Sequence, residues 1–578
     1  MKTSIKLSPV AIAIAALMAA PMAFAAGANV DNGQQSQSNT QISVMNSTNY
    51  ANMLGKAGAG SKGNVGVNIA TGNQNQQSNA GSLAANGKTK VTSTASASAS
   101  QDQGGNLAIQ VVNGSNNVNM SDHALSDASG NIGANMASGI FNQQQNNLAV
   151  SSAKKAKSST AVTGTTQNVG QNMSASADNY GSQGNANNTQ IGGNALSKAS
   201  GNIGVNQAAG ISNQQSNSLA LASVSKKTSM SSASTNTAQS QEQNLAIQVA
   251  GGANAVDLTA NALKGATGNI GVNMASGSFN QQQNSTSIAS AAKKAGKVDS
   301  ATNTSQSMDN EANLSTLNYG SVVGGSNETG LYGHVLSNAS GNIGLNQAAG
   351  ISNQQSNSLA IATGNKSKTA TATADTSQSM GGILSSQGVP VIFGSLAWSL
   401  SNQNNAAGIG SNALKHAAGN IGVNLASGAN NQQANSTALS YVSKGKKGSA
   451  SAMATAGTTQ YSVSNIASDT NTTDSSFING NAAKGAVGNI GINLATGVQN
   501  QQQNGLALVS VASNRAMATA SAPVSQIADA NLGGTVGSTY TSSVSGHALQ
   551  NASGNIGLNV AAGNGNQQSN TMAIASVQ

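Results

Sequence analysis

Three of the four histidines, His123, His334 and His547, each stand seven residues before a glycine that opens a Gly-Asn-Ile-Gly motif. A side chain that titrates near neutrality at a fixed phase is a candidate metal ligand or proton carrier. The same phase elsewhere holds Asn194, Asn261, Asn412 and Asn481, and histidine exchanging with asparagine beside glycine reads as a turn that tolerates left-handed backbone. His416 is off this phase. The 15 Asp and Glu residues are scattered, so no glycosidase-type carboxylate pair can be assembled from them. Serine and threonine abound, yet none is set beside a base at the spacing a nucleophile needs. Phosphate-loop and EF-hand patterns are missing, and without cysteine there are neither disulfides nor thiolate metal sites. These residues predict no enzyme and no cofactor.

What recurs instead is the carboxamide. The stretch 201–223, GNIGVNQAAGISNQQSNSLALAS, returns with opening glycines at Gly63, Gly130, Gly201, Gly268, Gly341, Gly419, Gly488 and Gly554, eight copies spaced by 66 to 78 residues. Self-similarity of this kind outranks any local motif when a fold is read. Ile203, Val205, Leu219 and Leu221 alternate with polar or tiny residues, the period of half-buried strands, and the intervening glycines suit a reversal. Each copy is therefore expected to be strand, turn, strand. Four apolar side chains do not offset the ordering of some twenty backbone units. Copies must stack on one another, which gives an all-β fold, a β-solenoid or cross-β stack of about eight imperfect repeats. In such a stack the amides of successive layers align into ladders. The expected stacking residues are Asn202, Ile203, Val205, Asn206, Asn213, Gln214, Gln215 and Leu219, with Asn342, Ile343, Asn353, Gln354, Gln355 and Asn555, Ile556, Asn566, Gln567, Gln568 in two further copies.

The copies are of two alternating kinds. NMASG with FNQQQN follows Gly130 and Gly268, whereas NQAAGISNQQSNSLA follows Gly201 and Gly341. The connecting segments share the longer period, since NLAIQV occurs at 106–111 and again at 244–249. A unit of about 138 residues has been duplicated, and the connections are expected to add strands rather than serve as plain tethers.

Lysines gather 24 or 25 residues after each of the first six opening glycines, with Arg515 in their place after the seventh: Lys88 and Lys90; Lys154, Lys155 and Lys157; Lys226 and Lys227; Lys293, Lys294 and Lys297; Lys366 and Lys368; Lys444, Lys446 and Lys447. Stacking would align them as a basic stripe that attracts polyanions such as extracellular DNA or acidic polysaccharide. The alternative is a solvated turn whose charge keeps strand edges from pairing wrongly. With one arginine and 2% aromatics, the chain lacks the side chains for reading or stacking bases.

Composition agrees with a stack of small residues. Charged residues are 7% of the 578, and only four prolines are present, so neither a large-residue core nor charge-driven disorder is expected. Residues 1–25 read as a signal peptide, with Lys2 and Lys6, an apolar run from Val10 and small residues around a cut after Ala25. Its removal leaves 22 basic against 15 acidic residues, a net charge of +7. Residues 26–60 form a flexible or capping segment, 61–380 repeats one to four, and 411–578 repeats five to eight. Between them 381–410 is an apolar insertion holding the lone Trp398 and Pro390.

The unit GNIGVNxAAGxxNQQxNSLA, as it stands at Gly201, Gly341 and Gly554, resembles the repeats of the Fap functional amyloids, secreted fibre subunits of bacterial biofilms. The resemblance covers all eight blocks. It implies passage through the periplasm, export through an outer-membrane pore, and polymerisation with other fibre subunits, with the Asn and Gln positions in the fibre core. Principal subunits of that family carry three repeats and a cysteine pair, whereas this chain has eight blocks and no cysteine. The resulting expectation is a major, minor or nucleating fibre subunit. The other reading is a monomeric β-solenoid adhesin at the cell surface that binds glycans or other polyanions.

Overall fold

A computed structural model describes residues 27–577 apart from 45–47, 87–91, 112–114, 155–157, 178–185, 226–227, 250–252, 293–294, 310–311, 317–325, 366, 382–395, 400–403, 444–449, 464, 471 and 514–515. The expected signal peptide and its cut after Ala25 lie outside the described residues. The described chain folds into 41 strands and no helix. They wind as eight successive rungs. The third is representative, with strands Ser158–Gly170, Met173–Ala177, Ala186–Ile191, Ser200–Ile211 and Gln214–Val224. Equivalent strands of successive rungs pair in parallel, giving four eight-stranded sheets and one of nine strands. The extra strand arises in the last rung, where Pro523 separates Ala516–Ser521 from Val524–Asp529. A proline cannot donate to the ladder, so the first strand is split there.

One repeat block thus makes one rung, and the register follows the motif residue by residue. Gly201 pairs with Gly130 and Gly268, and Gln214 with Gln143 and Gln281. The recurring unit supplies the fourth and fifth strands, and the connections supply the first three. Within 26–60, strands Gly27–Gln37, Thr40–Val44 and Thr48–Met53 open the first rung. Within 381–410, Leu396–Ser399 and Asn404–Ile409 take the second and third places of the sixth rung, while Pro390 lies outside the described residues. Sheet pairing runs without a break from the first rung to the eighth.

The fourth and fifth strands sit in the middle of the cross-section. One face of the fourth, with Ile203 and Val205, packs on the third strand and its following turn, where Ile191 and Leu196 are fully buried. The outer face of the fifth, with Ala220 and Ala222, meets alanines of the first strand, and side chains this small let the two sheets approach closely. The remaining faces of the fourth and fifth strands close on each other around an Asn corner. The second strand covers that corner, where Ala108 packs with Ile140 and Phe141.

Candidate functional site

The space between the fourth and fifth strands is filled with amides, each stacked on its equivalent one rung away. Asn202 Nδ2 donates to Asn131 Oδ1 at 2.9 Å and Asn269 Nδ2 to Asn202 Oδ1 at 3.0 Å. This column runs unbroken from Asn64 to Asn555. The Asn206 column does the same from Asn68 to Asn559, with every step 2.9 Å. At the corner, Asn213 Nδ2 and its backbone N–H both donate to Asn142 Oδ1 at 3.1 Å, and the ladder spans Asn75 to Asn566. The two glutamines that follow form two ladders of opposite sense. Gln214 Nε2 donates back to Gln143 Oε1 at 3.1 Å, whereas Gln215 Nε2 donates forward to Gln282 Oε1 at 2.9 Å.

A carboxamide nitrogen carries two hydrogens. In every one of these ladders except that of Asn202 the second one fixes the sense, because it goes to a backbone carbonyl, which can only accept. Gln214 Nε2 reaches the Ser240 carbonyl at 2.9 Å, Gln215 Nε2 the Gln207 carbonyl at 2.6 Å, and Asn206 Nδ2 the Gln145 carbonyl at 2.9 Å. Both glutamines are fully buried, and so is Asn206. These bonds therefore form in low dielectric, where satisfied networks rigidify and unsatisfied ones are costly.

The expected stacking residues are accordingly placed in shared columns: Asn342, Asn353, Gln354 and Gln355 in the fifth rung, Asn555, Asn566, Gln567 and Gln568 in the eighth, with Ile203, Ile343 and Ile556 on the opposite face of the fourth strand and Leu219 at the mouth between the two strands. Two glycine columns make the approach possible. Gly201 and Gly210 have φ of 116°, and a Cβ on either would strike the backbone carbonyl of a neighbouring rung, Gly130 or Gly277 respectively.

A further ladder escaped the sequence reading. Gln34, Gln101, Gln167, Gln239, Gln306, Gln378, Gln460 and Gln526 stack through the first strands at 2.8–3.0 Å. Each also donates to a fifth-strand carbonyl, as Gln167 Nε2 does to Gln215 at 3.1 Å. The signal was a glutamine that recurs in every connecting segment, in the second half of what becomes the first strand.

The His and Asn phase falls in the six-residue turn before the fourth strand, and these side chains stack too. Asn194 Nδ2 donates to His123 Nε2 at 3.2 Å, and Asn261 Nδ2 to Asn194 Oδ1 at 3.1 Å. The left-handed residues are the neighbours Asp122, Gly193 and Ala260, together with Leu125, Leu196 and Leu263 two positions and Asp127, Lys198 and Gly265 four positions beyond the His or Asn. Of the lysines assigned to the basic stripe, Lys154 is exposed at the end of a fifth strand, whereas Lys155, Lys226, Lys227, Lys293, Lys294, Lys444, Lys446 and Lys447 lie outside the described residues.

Carboxylates are few, and one of them, Asp474, is fully buried and accepts from Asn405 Nδ2 at 2.6 Å. Burial, and next Glu328 one rung away, push Asp257 up to about 6, and the same surroundings push Tyr332 up to about 12. Among the described residues no three His, Cys, Asp or Glu side chains gather. A groove of about 420 Å³ runs along the axis at the mouth of the fourth and fifth strands, lined by columns such as Asn202, Gly204 and Leu219. No titratable side chain lines it.

An in-register parallel stack held by axial amide ladders defines a cross-β structural protein. The chain matches the family described as Functional amyloid protein FapB/FapC over residues 27–222, 170–323, 309–477 and 453–578, and it belongs to that family. It is 32% identical over 292 residues to the Functional amyloid subunit FapC of Pseudomonas aeruginosa, an alignment covering 46% of this chain and 80% of that protein. No solved structure matches the chain.

Proposed function

We propose that the chain is a structural subunit of extracellular amyloid fibres in a biofilm matrix. One observation carries this reading: identical amides stack in register through eight rungs, and the first and last rungs leave sheet edges open for more of the same. A stack of this kind buries its polar core equally well against a rung of its own chain or of another. Purified protein lacking residues 1–25 should form fibres at neutral pH with reflections at about 4.7–4.8 Å and ~10 Å. Persistent monomer over a wide concentration range would refute the reading.

Family membership supports the remaining parts of the proposal, namely passage through the periplasm, an outer-membrane export pore and co-assembly with other fibre subunits. The lysine groups, each at the passage from a fifth strand to the next first strand, supply the matrix with sites for extracellular DNA or acidic polysaccharide. Binding of either should weaken steeply with salt.

A further inference from the structure

We propose that assembly is polar, with the first rung of one molecule docking on the eighth rung of the next and like ends never pairing. The inference rests on the fibre reading and adds to it the docking surface, its partner and its direction.

The two ends are chemically different. Asn64, Asn68, Asn75, Gln76 and Asn79 each accept from the second rung through their side-chain oxygen, so their NH2 groups turn away from the stack or sideways, except that Asn75 Nδ2 also reaches the second-rung Gly139 carbonyl at 3.0 Å. At the other end Asn555, Asn559, Asn566, Gln567 and Asn570 each donate to the seventh rung, which leaves their oxygens toward the open side. The ladder of opposite sense is reversed at both ends, since Gln77 donates inward to Gln144 and Gln568 accepts from Gln502. Head-to-tail contact therefore joins donor to acceptor in every ladder. Head-to-head contact sets donors against donors and the Gln77 oxygens against each other. Carbonyl acceptors lock these orientations, as Gln77 Nε2 to the Ile69 carbonyl and Gln568 Nε2 to the Val560 carbonyl, both 2.9 Å. Amides held in this way do not flip to rescue a wrong pairing.

Backbone shape repeats the same asymmetry. In interior rungs the space beside each left-handed glycine of these two columns is taken by a neighbouring carbonyl. At the ends, Gly63 has nothing within 4 Å, and Gly563 has only its own loop's Asn566 amide at 4.0 Å. Head-to-tail docking brings the Gly554 carbonyl to Gly63 and the Gly72 carbonyl to Gly563. The eighth rung also carries exposed Met517, Leu532, Val536 and Val577, an apolar edge that a further rung would cover.

The test blocks one end at a time. Asp31→Pro with Ala70→Pro blocks the first rung, and Leu558→Pro with Ala573→Pro blocks the eighth. By the alternation of the strands these four N–H groups point away from the neighbouring rung, so no internal bond is lost. Gly63→Ala and Gly563→Ala form a second pair. Each blocked protein alone should stay monomeric in sedimentation velocity and slow elongation of wild-type seeds at least 100-fold, while a 1:1 mixture should give one heterodimer and nothing larger. A first-rung-blocked protein that dimerises with itself, or blocked proteins that still elongate, would overturn polar docking. A wild-type chain that forms no fibres would overturn the fibre reading itself.

Discussion

Replacing Gln215 by leucine removes one member of an interior ladder at nearly constant volume. Gln215 is fully buried, accepts from Gln144 at 2.9 Å, and donates to Gln282 Oε1 at 2.9 Å and to the Gln207 carbonyl at 2.6 Å. The substitution leaves Gln282 Oε1, the Gln207 carbonyl and one N–H of Gln144 without these partners. Each orphan in a buried site costs about 1–3 kcal/mol, and burial of the leucine returns about 1.5–3 kcal/mol, so the net loss is roughly 2–6 kcal/mol. In a quasi-one-dimensional stack that loss is local. Amide hydrogen exchange should show protection falling roughly 30-fold to 10,000-fold in the second to fourth rungs, at tenfold per 1.4 kcal/mol, with the seventh and eighth unchanged. Gln568→Leu, in the half-exposed last rung, should lower protection less than tenfold, because the half-exposed Val560 carbonyl rehydrates and only one N–H of Gln502 is orphaned. A Gln215→Leu protein with protection within threefold of wild type, or with an equal loss in all eight rungs, would refute the ladder argument.

Three other outcomes follow from the same geometry. Gly268→Ala should cost more than about 3 kcal/mol in chemical unfolding, since φ is 117° and the added carbon meets the Gly201 carbonyl; a loss below 1 kcal/mol would count against the close rung approach. Phe279→Ala should cost about 3–5 kcal/mol, because the ring is 1% exposed between Ser212 and Ser352 of the adjacent rungs, and Ser352→Ala should cost far less. The Asp257 carboxyl titrates near 6 in the folded chain against 3.8 without its surroundings, so the folded state holds the extra proton between those values. Stability is then fullest below the lower value and falls as pH rises through about 4 to 6, and Asp257→Asn should flatten that part of the melting-temperature profile.

The repeat unit was legible because strand period, glycine and amide spacing all recur together, and each of the eight opening glycines marks one rung. The connecting strands were less so. Ser93–Gly104, with ASASAS, and Ser158–Gly170 share little beyond alternation of small residues, yet they pair residue for residue, because an alanine-walled interface asks only for smallness. Leu125 and Leu196 went unread for another reason. Nothing in their spacing marked them as core: they adopt φ of 55° and 57° in the turn, and the ~1–2 kcal/mol cost of that backbone is offset by burying the side chain.

The two alternating kinds of copy answer a problem that the ladders create. An amide column is the same at every rung, so it gives strong cohesion and no information about which rung should lie next to which. The residues that differ supply it. Val118 with Met136 and Val256 with Met274 share one core in the second and fourth rungs, where the third and fifth hold Thr189 with Gln207 and Thr329 with Gln347. The Thr189 and Thr329 hydroxyls and the Gln207 amide find no hydrogen-bond partner among the described residues, a cost that apolar side chains would have avoided. Phe141 and Phe279 likewise alternate with Ser212 and Ser352, placing a ring beside a small residue in each adjacent pair. A second rung laid directly on a fourth would stack ring on ring and methionine on methionine, losing the bulky-on-small fit along with the polar pairs. Adjacency is thus encoded in the few columns that break the repeat, at the expense of buried polar groups, while the columns that keep it provide the cohesion.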